Sequence, residues 1–565
     1  MFKLRRFLKH YKKELILGPF FKLLEAIFEL AVPLVMAQII DKGIGNNDSD
    51  YVWKMSGLIV VLGICGLGFA LTCQFFAAKC AYGFGTELRD ALYKHINKFS
   101  HAEIDRFGTS SLITRITNDT VLAQNGVNMF IRLAVRAPFL IVGAAVMSMT
   151  LDLKLSIIFL IAAPIITLII VWVMKKTVPM YKKIQKGLDK ISLLTRENLD
   201  GVRVIRAFSK QEEEKKELIN ESGRLSDNAV IAGKISAILN PVTFMIMNLG
   251  IVAILWFGGI RVDTGYLTQG EITAFVNYMT QILLALVVLA NLVIIFTKAA
   301  SSASRINEVF DTQPSMTDGS DTKFDFSSPA VEFENVSFSY PDAGDLSLNN
   351  ISFTLKKGEI LGIIGGTGSG KSTLANLVPR FYDITSGNIK IFGKDIKKYS
   401  MEELRKLIGI VPQRAALFSG TIADNMRWGK PDATDQEIIS ALKIAQAWEF
   451  VSKLTDGIKT NISQGGKNLS GGQRQRLTIA RALVGNPPVV ILDDSMSALD
   501  YALRKAIESE LKDTAVIMIS QRATTLQNAN HILVLDNGEA AGYGIHETLL
   551  KNCEEYAEIY KSQMS

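Results

Sequence analysis

A phosphate-binding loop is the strongest chemical signal in this chain. It lies between a buried strand predicted over 359–364 and a helix predicted to begin at Ser372. The interspersed glycines let backbone N–H groups turn towards phosphate oxygens, and the helix start adds positive charge. Lys371 is expected to reach the β- and γ-phosphates of ATP, and Ser372 to ligate Mg²⁺. The residues predicted to hold the nucleotide here are Gly365, Gly366, Thr367, Gly368, Ser369, Gly370, Lys371, Ser372 and Thr373.

Two positions further along the chain decide whether a bound nucleotide would be cleaved. A strand predicted to end at Asp493 is followed by Asp494, and a second strand runs into Gln521. A nucleotide hydrolase of this architecture needs a general base where Asp494 stands and a γ-phosphate contact where Gln521 stands. Here the first is a short carboxylate and the second is an uncharged amide. The sequence therefore predicts a site that binds ATP well and cleaves it poorly.

A second anion site is predicted where residues 468–476 read N-L-S-G-G-Q-R-Q-R. Ser470 is expected to cap a helix, and Gly471 and Gly472 leave the N-terminal amides of that helix bare. Gln473 completes the motif. Because this helix start lies about 100 residues beyond the phosphate loop, it is expected to serve a nucleotide held by another domain.

Composition places the first half of the chain in a membrane. The chain has 565 residues, 48% of them hydrophobic, with mean hydropathy +0.22, and the long apolar runs fill the first 300 residues. A length above about 300 residues exceeds one hydrophobic core. The net charge of +7 is modest, and its basic residues lie beside apolar runs, which suits a membrane's cytoplasmic face better than nucleic acid. The four cysteines are not spaced as a disulfide framework.

Six apolar stretches are long enough to cross a bilayer, which takes about 20 helical residues. The predicted spans are 15–41, 54–80, 130–150, 155–174, 236–258 and 272–297. The stretches 81–129 and 175–235 are polar but still helical in pattern, so they are expected to form long arms. These two stretches and the N-terminus are rich in Lys and Arg, whereas the other connections are short and poor in both. The positive-inside rule therefore predicts that both termini are cytoplasmic.

The second half reads as a soluble α/β domain. Residues 311–329 are polar, acidic and proline-containing, which predicts a linker between a membrane domain over 1–310 and a nucleotide-binding domain over 330–565. Short apolar strands alternate with helices around the phosphate loop. The predicted fold class is thus an all-α membrane domain with long cytoplasmic extensions, fused to an α/β P-loop domain.

Taken together, these motifs resemble ATP-binding cassette (ABC) transporters of the exporter type, and the resemblance covers essentially the whole chain. It implies that Tyr340 stacks on adenine, that Gln413 touches Mg²⁺, and that Asp493 holds Mg²⁺ through water. It also implies that residues 497–500 pass between paired nucleotide domains. In the membrane half, 107–120 and 201–208 resemble the two intracellular loops that dock on nucleotide domains.

The departures from the family pattern predict an asymmetric pair. Active members carry Glu where this chain has Asp494 and His where it has Gln521, whereas the signature at Ser470 is intact. The expected partner is a second half-transporter with both catalytic residues, in the plasma membrane, exporting an amphipathic small molecule, a lipid or a peptide; no nucleic acid partner is expected. Two alternatives stay open: a homodimeric exporter with slow hydrolysis, and an ATP-gated channel or regulatory membrane subunit.

Ionisable residues in the first span carry a further hypothesis. Lys22, Glu25 and Glu29 recur at helical spacing, and charges at such depth usually face a wet cavity or a partner. They could offer a cavity acid to cationic substrates, Lys22 could pair with Glu25, or the residues could lie near the cytoplasmic interface. Several amides in the last two spans are further cavity candidates, because amides facing lipid would be unsatisfied. These amides are Asn240, Asn248, Asn277, Gln281 and Asn291.

Overall fold

The computed structural model describes residues 2–341, 343–494 and 501–564. The chain divides into two compact units. The first comprises Met1–Asn97 and Ser110–Thr312, and the second comprises Lys98–Thr109 and Gln313–Ser565. The first is called the membrane unit below and the second the nucleotide unit.

The first 311 residues are almost entirely helical. Their helices are α1 (Lys12–Gln38), α2 (Ser49–Ile96), α3 (His101–Phe107), α4 (Thr109–Thr114), α5 (Thr120–Met129), α6 (Arg136–Leu151), α7 (Ile157–Asp200), α8 (Val202–Ala207), α9 (Gln211–Ala237), α10 (Leu239–Asp263) and α11 (Gln269–Asp311). All except α3 and the first residue of α4 belong to the membrane unit. Within the described residues, six helical segments are long and apolar enough to cross a membrane. The expected set of six apolar helices is therefore confirmed.

Local sequence explains where these helices begin. The Asp48 side chain accepts a hydrogen bond from the Tyr51 N–H and starts α2, and Thr268 forms a capping box with Glu271 at the start of α11. Between them the helices expose many large apolar side chains. In a bilayer such side chains can face the lipid, because they need no hydrogen bonds and the helix satisfies the backbone N–H and C=O groups internally.

Short π-helical turns interrupt this helical path. They cover Ile39–Ile44, Arg115–Asp119 and Phe130–Ala134. The second of these turns carries two charged residues that pack on α11. Arg305 forms a bidentate pair with the buried Asp119, and Arg115 binds Glu308 at 2.9 Å. These ion pairs neutralise charge within the membrane unit.

The charges of the first span are also paired. Lys22 Nζ lies 2.6 Å from Glu25 Oε2, and both side chains are largely buried. Internal pairing of Lys22 with Glu25, one of the alternatives predicted for these residues, is therefore present in the structure. Glu29 instead binds Arg136 on α6, with Nη2 and Oε2 2.6 Å apart. The sequence did not predict that second pair.

The nucleotide unit is built from twelve strands among its described residues. They are β1 (Val331–Phe338), β2 (Leu348–Leu355), β3 (Ile360–Gly365), β4 (Ser386–Ile391), β5 (Lys394–Asp395), β6 (Ile408–Val411), β7 (Gly420–Thr421), β8 (Asn461–Ile462), β9 (Val489–Asp493), β10 (Ala515–Ile519), β11 (His531–Asp536) and β12 (Glu539–Gly544). The intervening helices are α12 (Lys371–Leu377), α13 (Met401–Lys406), α14 (Ile422–Arg427), α15 (Asp435–Ile444), α16 (Trp448–Val451), α17 (Gly471–Leu483), α18 (Tyr501–Glu510), α19 (Ala523–Leu526), α20 (His546–Asn552) and α21 (Glu554–Met564).

The central sheet of this unit has the order β12-β11-β3-β10-β9-β6 among the described strands. Its strands from β11 to β6 are parallel, and they are continuous apolar runs because helices cover both faces. Ile519 pairs with both Ile363 and Asp493, so β3, β10 and β9 end at one edge. An antiparallel sheet of order β2-β1-β4-β5 is not hydrogen-bonded to the central sheet but shares a buried core with it. The predicted fold class is thus confirmed.

Helix α3 belongs to the nucleotide unit, although the membrane helices flank it in sequence. His101 stacks on Phe381 with ring centroids 4.4 Å apart, and the Tyr382 hydroxyl donates to Asp105 Oδ2 at 2.6 Å. The resemblance had placed such docking in residues 107–120. Residues 107–109 of that segment belong to the nucleotide unit with α3, whereas Arg115 and Asp119 contact α11 in the membrane unit.

Candidate nucleotide-binding site

A cavity of about 590 Å³ opens beside the phosphate loop. It falls in the size range of small-molecule sites, about 300–1,000 Å³. Tyr340 lies on one side, and its hydroxyl is 3.1 Å from Thr373 Oγ1. Gly368, Gly370 and Lys371 form the other side together with Ser372. The structure therefore brings the predicted adenine-stacking ring and the phosphate loop to one cavity.

The shape of the loop depends on Gly370, the residue before α12. Its φ is +98°, a left-handed conformation that favours glycine. A Cβ there would also lie 2.7 Å from Leu348 Cδ2 and 2.8 Å from the Ser347 carbonyl oxygen. The loop therefore cannot take a side chain at this position without moving β2.

Hydrogen bonds fix the Lys371 side chain at the start of α12. Its Nζ donates to the carbonyl oxygens of Gly365 (2.9 Å) and Gly366 (2.5 Å), and to Ser369 Oγ at 3.3 Å. Burial lowers the pKa of its ammonium group, and the carboxylates of Asp494 and Asp493 oppose that shift. An ammonium held against neutral oxygens and two nearby acids suits a phosphate ligand, which would strengthen its charge.

The residues predicted to hold Mg²⁺ fit that ion. Ser372 Oγ donates to Asp493 Oδ1 at 3.3 Å, so a hydroxyl and a carboxylate meet at the loop. Burial raises the pKa of Asp493, and the hydrogen bond from Ser372 opposes the rise. Gln413 is exposed just beyond β6, at the same sheet edge, because Val411 pairs with Leu492. Oxygen ligands of these kinds are the ones Mg²⁺ prefers.

The two positions that depart from the family pattern touch each other. Gln521 Nε2 donates to Asp494 Oδ2 at 3.1 Å. Asp494 has a left-handed φ of +44°, and its N–H is fixed by the Ile519 carbonyl oxygen at 3.0 Å. The short carboxylate is therefore tied to the amide beside it and to β10.

Gln563 is a residue of this site that the sequence did not reveal. It lies on the last helix, and its amide bridges the loop after β10: Nε2 donates to the Gln521 carbonyl oxygen at 2.7 Å, and Oε1 accepts from the Ala523 N–H at 2.8 Å. No motif marks this residue, because its partners are about 40 residues away in sequence. The same applies to Asn537 and Gly538, which also line the cavity; the only sequence signal is that Asn-Gly favours a turn.

The predicted signature helix has the expected local geometry. Ser470 caps α17 through a capping box: its Oγ accepts from the Gln473 N–H at 3.3 Å, and Gln473 Oε1 accepts from the Ser470 N–H at 2.9 Å. Gly471 and Gly472 are exposed, and a Cβ on either would meet no atom of the described residues within 4 Å. The start of α17 is therefore an open surface, separate from the cavity lining.

Of the remaining predicted positions, Gly365, Gly366 and Ser369 serve the site by holding Lys371, whereas Thr367 is exposed at the loop tip. The segment 497–500, predicted to pass between paired domains, lies outside the described residues.

A P-loop α/β unit joined to a helical unit with membrane-spanning segments defines an integral membrane protein powered by a nucleotide. Residues 15–287 match the ABC transporter transmembrane region, and residues 348–497 match the ABC transporter domain. This chain belongs to the ABC transporter family. It is accordingly a multi-pass membrane protein with an ATP-binding domain, and ATP hydrolysis is the activity of its family.

Several full-length relatives support this assignment. The chain is 38% identical to the ABC transporter ATP-binding protein YfiB of Bacillus subtilis (strain 168), covering 100% of this chain and 98% of the relative. It is 33% identical to an ATP-dependent lipid A-core flippase of Haemophilus influenzae (strain 86-028NP), covering 99% and 96%. A solved bacterial Atm1-family ABC exporter with ATP bound superposes with a TM-score of 0.82, at 24% identity and covering 98% and 99% of the two chains. The last likeness shows that the chain has the fold of an exporter half-transporter.

Proposed function

We propose that this chain is the degenerate half of a heterodimeric ABC exporter. Its own site would hold MgATP for long periods and cleave it slowly. Its signature helix would complete the catalytic site of a partner that carries Glu and His at the two altered positions. The main observation that supports this proposal is the contact between Gln521 and Asp494 beside an otherwise complete phosphate loop.

The residues of this site that would contact the nucleotide support tight binding of ATP. Lys371 already points into the loop, Gly370 has the conformation that the loop requires, and Tyr340 stands across the cavity. Ser372 and Asp493 would supply oxygen atoms to Mg²⁺, which neutralises phosphate charge when bound. None of these features depends on the two altered positions.

The two positions that should promote hydrolysis are altered: Asp494 is shorter than the expected Glu, and Gln521 is an uncharged amide in place of His. Replacing Glu by Asp withdraws the carboxylate by about 1.5 Å, and misplacing a catalytic group by 1 Å can cost about 10²-fold in rate. Removing one preorganised donor, as Gln521 would in place of His, costs about 10²–10³-fold. Because Gln521 and Asp494 are in contact, the two losses need not multiply. Either one alone makes this site much slower than a complete one.

The signature helix supports the second part of the role. Its cap is complete, and its first two glycines leave the backbone amides accessible. A helix start of this kind binds anions through its unpaired N–H groups. It would therefore approach the γ-phosphate of the ATP held by a partner chain, in a dimer in which each nucleotide lies between two chains.

The transported molecule is proposed to be an amphipathic small molecule, a lipid or a peptide, moved out through the plasma membrane with both termini in the cytoplasm. The apolar surface of the membrane unit and the likeness to a protein named for lipid A-core flipping support this class. The modest net charge supports a membrane setting without nucleic acid.

Site-specific loss of ATPase tests the asymmetry. The chain would be co-expressed with a half-transporter that carries Glu and His at the two altered positions, and the purified complex assayed for ATP turnover. Changing the catalytic Glu of the partner to Gln is expected to abolish turnover, whereas Asp494→Asn is expected to change it less than two-fold. Equal losses from the two changes would contradict the proposal. Fast turnover by the isolated chain would instead favour a homodimeric exporter, and nucleotide-triggered flux with a non-hydrolysable ATP analogue would favour a channel.

A further inference from the structure

A cavity inside the membrane unit combines polar and apolar walls. It has a volume of about 120 Å³ and lies among α1, α6 and α11. One water molecule occupies about 30 Å³ in the liquid, so the space is larger than a single water needs. Glu29, Arg136 and Gln281 form its polar wall, and leucine, alanine and valine side chains form the rest. Such a space suits a molecule that carries both a polar group and an apolar chain.

The polar wall has two hydrogen-bonding atoms with unused capacity. Arg136 binds Glu29 through Nη2, and its buried Nε has no hydrogen-bond partner among residues 2–341, 343–494 and 501–564. Gln281 Nε2 is directed at the Glu29 carbonyl oxygen at 3.5 Å, which leaves the amide oxygen as the free atom. That buried Oε1 also has no partner in the described part of the chain. Both atoms have almost no exposed surface, so a ligand reaches this N–H donor and this carbonyl acceptor after a small rotation of the two side chains.

The charge of this wall is balanced within the protein. Glu29 and Arg136 form an ion pair at 2.6 Å, and an opened pair would leave two charges in the membrane. A ligand that keeps the pair intact must be uncharged where it meets the wall. To satisfy Arg136 Nε and Gln281 Oε1 together, its polar group must both accept and donate a hydrogen bond. A hydroxyl and a primary amide have this property.

The walls are held in place by contacts outside the cavity. The buried Tyr278 hydroxyl donates to the Leu30 carbonyl oxygen at 2.8 Å, which ties α11 to α1 beside Glu29 and Gln281. Leu133 lines the cavity from the π-helical turn Phe130–Ala134, immediately before α6. Single π-helical turns within helices occur frequently at functional sites.

We propose that this cavity is a subsite for the head of an uncharged amphiphile, a hydroxyl or primary amide joined to an alkyl chain. The head accepts from Arg136 Nε and donates to Gln281 Oε1, while the chain lies against Leu133, Leu140 and Leu284. As a site for transported molecules it rests on the proposed export function, whereas ligand binding itself does not.

Photolabelling of the full chain in nanodiscs, without nucleotide, tests the assignment. The probe is hexadecan-1-ol with a diazirine on its third carbon, and labelled peptides are identified by mass spectrometry. Labelling is expected in 133–140 and 281–288, and unlabelled hexadecan-1-ol is expected to compete. Matched probes built on hexadecane and on hexadecanoate are expected to label these peptides several-fold less.

Two variants and one control test whether labelling depends on the polar wall. Gln281→Met keeps the side-chain length but removes the amide, and Arg136→Lys keeps the charge opposite Glu29 but removes Nε. Each is expected to lower labelling about five-fold, because each removes one hydrogen bond between the wall and the probe. Thr280→Val is the control, because the Thr280 hydroxyl binds only within its own helix, to the Val276 carbonyl oxygen, among the contacts of the described residues.

Three results would overturn the assignment: equal labelling by the hydrocarbon, stronger labelling by hexadecanoate, or Gln281→Met behaving as Thr280→Val does. None of them bears on the ATP sites, because no nucleotide is present in the assay. A symmetric pair of ATP sites would conversely leave the labelling pattern unchanged.

Discussion

Replacing Gly472 by Ala separates the role of the signature helix from its stability. A Cβ at this position would meet no described atom of the same chain within 4 Å, and the residue lies in the first turn of α17. Glycine within a helix is less stable than alanine by about 0.5–1 kcal/mol. For the isolated chain, Gly472→Ala should therefore leave stability unchanged or raise it by up to about 1 kcal/mol.

The same methyl group should harm the complex. If the phosphate held by the partner approaches the bare amides at the start of α17, the new Cβ projects into the space that the phosphate needs. Losing one preorganised donor costs about 10²-fold in rate. ATP turnover of the complex should thus fall by about that factor while the thermal unfolding temperature stays the same or rises slightly. Gly223→Ala is the matched control, since this glycine lies on α9 with equally open surroundings among the described residues. Normal turnover by the Gly472→Ala complex would refute the role given to the signature helix.

Three further predictions follow from contacts in the nucleotide unit. Gln563→Leu removes both hydrogen bonds to the loop after β10, so hydrogen exchange of residues 521–523 should accelerate about ten-fold; Lys561→Met on the same helix should not change it. Burial, aided by the charge of Arg405, lowers the pKa of His101 although Asp105 opposes the shift. The undocked state therefore binds more protons, so protection of α3 should be lost as pH falls below about 6.5, and a pH-independent protection would contradict this. His101→Phe keeps the stack and should abolish the pH dependence. Tyr382→Phe leaves Asp105 without its hydroxyl donor and should weaken docking of α3 by about 1.5–3 kcal/mol, seen as faster exchange in α3 at constant pH.

Local chemistry made much of the nucleotide unit predictable. The phosphate loop, the capping role of Ser470 and the strand ending at Asp493 each depend on a few neighbouring residues, and the structure contains all three elements where the sequence predicts them. Apolar runs of sufficient length likewise predicted the six helical segments, because a bilayer requires about 20 residues per span. In these cases the period or spacing of residue types carries the information.

Contacts between distant segments were not predictable in the same way. Glu29 and Arg136 are 107 residues apart, and Gln563 lies 42 residues beyond Gln521. Neither pair has a periodic pattern, so only the packed structure reveals them. The placement of α3 with the nucleotide unit was not predicted, for a related reason. The polar stretch 81–129 looks uniformly helical, and nothing in it shows that the chain changes units at Lys98 and again at Ser110.

While the exporter turns over, this chain is expected to hold uncleaved ATP, and trapping the bound nucleotide tests this most directly. The complex would be supplied with radiolabelled 8-azido-ATP and Mg²⁺, crosslinked during steady turnover, and the nucleotide on each subunit identified. Mostly uncleaved triphosphate on this chain, with mostly diphosphate on the partner, is the predicted result. An equal share of diphosphate on both subunits would contradict the account.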